Sequence, residues 1–335
     1  MAKKQTIAVL GDGGWGTTLS ILLANKGYSV CLWGAFSDYV KSLKKKRENF
    51  IFLKGIKIPK KILITPDIKV ALDHAQAVIL AIPSQYLRSV LRKLKGQNLG
   101  GRKFLSATKG IEQGSLMRMS EVVSKELGKI DLAVLSGPNI AQEIARGKPA
   151  VTVVASGNKK TACYFQDLLM SKNLRVYTNS DVVGVELGGS LKNIIALACG
   201  ISDGLNLGTN AKAALLTRGL VEISRLGVKM GAKRETFSGV SGLGDLVTTC
   251  SSPYSRNRSV GEQIARGAKL TSITKKMSMV AEGILTTKAA YGLSKKHKAE
   301  MPITKEIYQV LCKNKSPQRA VNDLMRREKK PERWL

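Results

Sequence analysis

Histidine is nearly absent from this chain: two copies in 335 residues. The five cysteines stand apart, at 31, 163, 199, 250 and 312, with no C-x-x-C pair. So thin a supply of soft ligands excludes a zinc centre and a disulfide framework; no metal is expected, and a reduced, cytoplasmic setting fits best. Long apolar runs are also missing. Ala77–Ile82 is among the longest, far short of the roughly 20 residues of a membrane span. The run before the first glycine in MAKKQTIAVLG is too short for a signal-peptide core. Acidic residues are scarce, 24 against 55 Lys and Arg, for a net charge of +31. The basic residues are spread out, with dense spots only at Lys44–Arg47 and Arg326–Lys330. Neither an aromatic-interleaved basic stripe nor a helix-turn-helix signature accompanies them. Most of the surplus therefore reads as solvated surface, with no specific nucleic-acid partner expected.

What is present begins with Gln5–Gly34, QTIAVLGDGGWGTTLSILLANKGYSVCLWG. An apolar run from Ile7 to Leu10 leads directly into Gly11-Asp12-Gly13-Gly14-Trp15-Gly16. A helical stretch, a stop at Gly27 and a second β-branched run, Tyr28–Trp33, follow. A G-x-G-x-x-G between a strand and a helix is a phosphate cradle. Gly11 permits the tight turn, Gly13 leaves room for a pyrophosphate, and Gly16 lets the helix pack on the strand. A dinucleotide is the expected ligand. An acidic residue at the end of the second strand would clamp the ribose of NAD. Here that strand ends Trp33-Gly34-Ala35-Phe36, and Asp38 comes late. Lys41 and Lys44–Arg47 offer charge for a 2′-phosphate, or are a solvated helix end; the preference between NAD and NADP stays open.

Further strand-like runs follow at Ile62–Thr65, Ala77–Ile82, Lys103–Ala107, Leu132–Ser136, Ala150–Ala155 and Arg175–Tyr177. Helical stretches at Tyr86–Lys95, Leu116–Leu127 and Thr161–Met170 separate several of them. This alternation predicts an α/β fold, a mostly parallel, doubly wound Rossmann-like sheet. Beyond Asp181 the strand signals stop, and Val183–Leu205, Asn210–Leu226, Arg258–Ala265, Val280–Leu293 and Pro302–Leu311 read as helices. Two domains are expected: a dinucleotide-binding domain over 1–180 and an all-helical substrate and catalytic domain over 181–335.

Ligands of such sheets lie beyond the carboxyl ends of the strands. That rule selects Pro83-Ser84, Thr108-Lys109-Gly110 and Gly137-Pro138-Asn139. Lys109, between a small polar residue and a glycine, is aimed where an anion would bind, or is one more solvated surface charge among 55 Lys and Arg. Lys192 opens the apolar run Asn193–Gly200. Burial there would lower its pKa and suit it to acid–base work at a carbonyl oxygen; a lysine snorkelling from a helix flank has the same sequence. Gly242–Cys250 carries Asp245, able to orient a lysine or a substrate hydroxyl. Ser255-Arg256-Asn257, before a helical stretch, offers a hydroxyl, a guanidinium fork and an amide, good phosphate chemistry or a plain helix cap.

Taken together, GDGGWGT, ATKGIE, LSGPNIAQE, VGVELGGSLKNIIALACGISDG, TRGLVEISRLG, SGLGDLVTTC, SRNR, VAEG and MPITKEIYQVL strongly resemble the bacterial-type NAD(P)-dependent glycerol-3-phosphate dehydrogenases, in family order from Ile7 to Arg319. The resemblance implies reversible hydride transfer between NAD(P)H and dihydroxyacetone phosphate, giving sn-glycerol 3-phosphate for phospholipid synthesis. It implies Lys192 as the catalytic lysine, beside Lys109 and Asp245. Gly11, Gly13, Gly14, Trp15, Gly16, Lys109, Ala141, Arg256, Val280 and Glu282 would contact the cofactor. Lys109, Gly137, Asn139, Lys192, Asn193, Asp245, Thr249, Ser255, Arg256 and Asn257 would surround the substrate. Four positions depart from the commoner family residues: Ala35 stands for Arg or His, Asn139 for Ser or Thr, Ile140 for Phe, and Lys54 for Pro. A related hydroxyacid or 6-phosphogluconate-type dehydrogenase is the nearest alternative, and a non-catalytic cofactor or nucleic-acid binder the next. A homodimer is left open.

Overall fold

Eight of the apolar runs form the strands of one sheet in the computed structural model, which describes residues 5–277 and 281–332. They are β1 (Thr6–Leu10), β2 (Ser29–Trp33), β3 (Leu63–Thr65), β4 (Ala75–Leu80), β5 (Lys103–Ser106), β6 (Asp131–Ser136), β7 (Ala150–Ala155) and β8 (Leu174–Asn179). Their order is β3-β2-β1-β4-β5-β6-β7-β8, parallel throughout except where β7 runs against β6. Central strands covered on both faces need continuous apolar sequence rather than alternation, and Ile7, Ala8, Val9 and Leu10 of β1 are all fully buried. β1 pairs with β2 on one side and β4 on the other. The winding therefore reverses at β1, which opens a crevice beyond its carboxyl end. Two backbone bonds fix that crevice: Gly11 N donates to Trp33 O at 3.0 Å, and Ala81 N to Leu10 O at 2.8 Å.

The chain divides into two units, one of residues 1–108 and 119–182, the other of residues 109–118 and 183–335. Lys109–Arg118, read from sequence as part of the sheet region, thus packs with the helices. The helix expected from Leu116 starts instead at Met119. Leu116 takes a left-handed φ of 58°, and Ile111 bridges Arg118 antiparallel, so these residues close a loop. Among the described residues of the second unit no strand is formed. Short helices such as Asp245–Ser251 and Pro317–Met325 carried too few apolar positions to be anticipated.

The second unit is built on the helix Val182–Gly204. It is the one helix among the described residues long and apolar enough to cross a membrane, yet 89% of its apolar window is buried inside the protein. Leu191, Ile194, Ile195, Leu197 and Cys199 pack with Leu220, Ile223, Phe237, Leu246 and Val260. The helix Arg256–Ala265 crosses it on two facing glycines. A Cβ on Gly200 would lie 1.9 Å from Arg258 O, and one on Gly261 would lie 2.1 Å from Leu197 O. The backbones touch, so any side chain there must push the helices apart. Gly200→Ala should therefore cost about 1–3 kcal/mol, a drop of roughly 2–4 °C in melting temperature per kcal/mol for a unit of this size. Thermal unfolding monitored by circular dichroism tests this; an unchanged melting temperature would contradict the backbone contact.

Candidate active site

In the first unit, the loop from Gly11 joins β1 to the helix Gly14–Asn25. Gly11 has φ of +120°, and a Cβ on it would lie 2.3 Å from Ala81 O; a Cβ on Gly16 would lie 1.9 Å from Gly11 O. Neither position accepts a side chain. Around Gly13, by contrast, a Cβ would meet nothing within 4 Å. Gly13 caps the helix without a side-chain bond, so the first-turn N–H groups face an open approach, the arrangement an anion needs. Gly14 packs on Phe52, where a Cβ would lie 2.7 Å from the carbonyl oxygen. Trp15 is half-buried, with its Nε1 lacking a hydrogen-bond partner. Ala141 O accepts from Thr18 Oγ1 at 3.2 Å. Asn139 Nδ2 donates to Thr152 Oγ1 at 3.0 Å, while its Oδ1 is buried without a partner. Gly137 adopts φ of +147°. An open, donor-lined cradle at the sheet's reversal point fits a dinucleotide pyrophosphate.

One residue of this loop escaped the sequence reading. Asn49 is fully buried; its Nδ2 donates to Asp12 O at 2.8 Å and Thr17 Oγ1 at 2.7 Å, and its Oδ1 accepts from Tyr39 OH at 2.6 Å. It sits in RENF, with no local signal. The basic cluster at 41–47 spans the second half of a helix and its C-cap. Lys44, Lys45 and Lys46 form the last turn of Ser37–Lys46, Lys41 pairs with Asp38 at 3.5 Å, and Arg47 Nη1 donates to Ile62 O at 2.8 Å.

In the second unit, Lys109, Lys192, Asp245 and Thr249 converge. Asp245 is 1% exposed and Lys192 7% exposed. Asp245 Oδ1 accepts from Lys192 Nζ, and Asp245 Oδ2 accepts from Lys109 Nζ at 2.6 Å. Lys192 Nζ also donates to Thr249 Oγ1 at 2.7 Å, and Thr249 Oγ1 donates to Asp245 O at 2.7 Å. Burial pushes the Lys192 pKa down to about 8; the Asp245 carboxylate opposes that fall, and the Lys109 charge adds to it. Two ammoniums around one carboxylate leave a net positive charge, suited to an anionic ligand.

The loop bearing Lys109 is anchored to the central helix. Gly110 N donates to Ser190 Oγ at 2.9 Å, Ser190 Oγ to Gly110 O at 3.3 Å, and Arg118 pairs with Glu186 at 2.6 Å. Ser190 and Glu186 lay inside the ELGGSLKN motif without being singled out. Ser255 caps the helix Arg256–Ala265, its Oγ accepting from Arg258 N at 3.3 Å. Arg256, in that helix's first turn, is exposed, and Asn257 is buried. Asn257 Oδ1 accepts from Gly283 N at 3.0 Å. A Cβ on Gly283 would lie 2.8 Å from Asn193 O, which ties the start of Glu282–Lys296 to the lysine helix. Glu282 is half-buried in that first turn. Val280 lies outside the described residues.

Two family patterns match: the NAD-dependent glycerol-3-phosphate dehydrogenase N-terminus over residues 6–162 and the C-terminus over residues 181–322. The chain belongs to this family. It is 48% identical to the glycerol-3-phosphate dehydrogenase (NAD(P)+) of Prosthecochloris aestuarii, over 97% of this chain and 99% of that one. It is 46% identical to the enzyme of the same name from Geobacillus kaustophilus, over 98% and 96%. A crystal structure of glycerol-3-phosphate dehydrogenase from Coxiella burnetii superposes with a TM-score of 0.94 at 39% identity, covering 97% of this chain and 99% of that one.

For this glycerol-3-phosphate dehydrogenase family member, the buried carboxylate sets the stability of the lysine pair. Asp245→Asn leaves two ammoniums facing each other without a counter-charge. Removing one partner from a buried ion pair costs about 3–5 kcal/mol, and chemical denaturation should register a loss of that size. A variant as stable as the parent would show that the lysines do not depend on Asp245.

Proposed function

We propose that the chain reduces dihydroxyacetone phosphate reversibly to sn-glycerol 3-phosphate with NADH or NADPH, and that Lys192 is the proton donor. The observation that carries this reading is the buried Lys192–Asp245–Lys109 cluster. Gly11, Gly13, Gly14, Trp15 and Gly16 would hold the dinucleotide, with Ala141, Arg256, Glu282 and Val280 as further contacts by family resemblance. When bound, the reduced cofactor supplies a hydride to the ketone carbon.

The rest is done by side chains of the chain. An ammonium has three N–H donors, and Asp245 and Thr249 engage two from Lys192. The third can address the ketone oxygen. There the positive charge stabilises the oxygen as it becomes an alkoxide, and a pKa near 8 makes the proton available at the end of the step. Asp245 holds Lys192 in place, and Lys109, bonded to the same carboxylate, keeps the site net positive. Ser255, Arg256 and Asn257, at the start of a 10-residue helix, supply phosphate donors; Asn193, Thr249, Gly137 and Asn139 complete the proposed substrate contacts. Binding the phosphate away from the reacting carbon converts affinity into orientation. The product's role in glycerophospholipid synthesis follows from the family reading.

The decisive assay is loss of nicotinamide absorbance with dihydroxyacetone phosphate, with NADH and NADPH in parallel. Turnover is expected, and none with either cofactor in folded protein would refute the reading. Lys192→Ala should lower kcat by roughly 10²–10⁴-fold, the usual worth of general acid catalysis, while NADH still binds. The sign of the pH dependence follows from the role. Reduction needs the ammonium, so its rate should fall as pH rises through about 8, and oxidation of glycerol 3-phosphate, which needs the free amine, should rise over the same range. A Lys192→Ala enzyme of near-parental rate would assign the proton to another group.

A further inference from the structure

We propose that Asp12 is the ribose clamp of this cofactor site and gives the chain a preference for NAD(H) over NADP(H). The inference rests on the dinucleotide reading above and extends it to the choice between the two cofactors. The end of β2, where a doubly wound sheet ordinarily carries its ribose-binding acid, reads Gly34-Ala35-Phe36. The nearest downstream acid, Asp38, has a side chain 97% exposed and paired with Lys41.

The missing carboxylate is delivered from another direction. A Cβ on Gly34 would lie 2.1 Å from Asp12 Oδ2 and 2.5 Å from Asp12 Cγ. The Asp12 side chain therefore fills the volume that a side chain at the β2 terminus would occupy, and only glycine at 34 leaves room for it. Both partners are fixed. Gly34 N donates to Thr65 O at 3.1 Å, and Asp12 O accepts from Asn49 Nδ2 at 2.8 Å. Asp12 Oδ2 is buried without a hydrogen-bond donor. A buried carboxylate oxygen with no donor is costly, and burial pushes the Asp12 pKa up to about 6. At neutral pH it is an anion lacking one hydrogen bond.

A ribose 2′-hydroxyl brings a donor to the half-exposed Asp12 carboxyl. A 2′-phosphate supplies no proton at neutral pH and brings about two negative charges to a desolvated anion. Lys93 Nζ lies 5.9 Å from the centroid of the Trp33 ring at the end of β2, and the other cations of this region belong to the cluster at 41–47. Lys44, Lys45 and Lys46 form the last turn of Ser37–Lys46, roughly 10–15 Å along the helix from its start. Lys41 is paired with Asp38, and Arg47 is bonded to Ile62 O.

The test is a binding titration, followed by nicotinamide fluorescence at pH 8, of NADH and of NADPH against the full chain, Asp12→Asn and Asp12→Ala. Asparagine keeps the shape and removes the charge, so it decides the matter if the alanine variant unfolds. Circular dichroism checks the fold of each. The parent should bind NADH at least about tenfold more tightly than NADPH, the scale of one charge-assisted hydrogen bond. In Asp12→Asn the ratio should move toward one. Equal affinities in the parent, or an unchanged ratio in Asp12→Asn, would overturn the inference while leaving the dinucleotide reading intact. Binding of neither cofactor by the folded parent would overturn both.

Discussion

A carboxylate with 1% exposure is tolerable only when opposite charges or hydrogen-bond donors replace the water it has lost. Asp245 has two such partners, and the geometry of the second unit follows from keeping them in place. Lys192 reaches Asp245 from the central helix, which is buried from Gly184 to Ser202 and crossed closely by its neighbours. Small residues make the crossings possible. At Gly188, a Cβ would lie 2.6 Å from Ser241 O, so the single π turn Val240–Gly244 rests directly on the helix and sets Asp245 at the start of the next one. Lys109 arrives on a separate loop, tied down through Gly110 to Ser190 and through Arg118 to Glu186.

The same logic of enforced closeness governs the first unit. Backbone fills the space beside Gly11 and Gly16, whereas the space at Gly13 is open. A loop so constrained presents its N–H groups in one arrangement, ready for an anion before it arrives. Asn49 extends the constraint by joining the loop carbonyl of Asp12, the hydroxyl of Thr17 and the ring of Tyr39 through one side chain.

Much of this was legible in the sequence. All eight strands were visible: the central ones because strands buried on both faces must be apolar runs, and the edge strands β3 and β8 as short runs rich in β-branched and aromatic residues. The glycine loop was visible because its chemistry is local. Lys192 was only half legible. Its apolar neighbours admitted burial or snorkelling, and the contact with Asp245, 53 residues away, decides for burial. The anchoring roles of Ser190, Glu186 and Asn49 were not legible, since each depends on a partner distant in sequence. The start of the helix at Met119 was missed for a related reason. Leu116, Met117 and Arg118 have helical composition, but a long-range bridge and a left-handed Leu116 draw them into the Lys109 loop. Asp12 stood in full view within the glycine motif, and only its distance to Gly34 gave it a role.

The central claim is that Lys192 is a buried lysine whose ionisation is set by its surroundings. Lysine side-chain NMR across a pH series, with Lys192→Ala for assignment, measures this directly. One resonance should titrate near pH 8 and be absent from Lys192→Ala. A Lys192 that titrates near the ordinary 10.5 would contradict that claim.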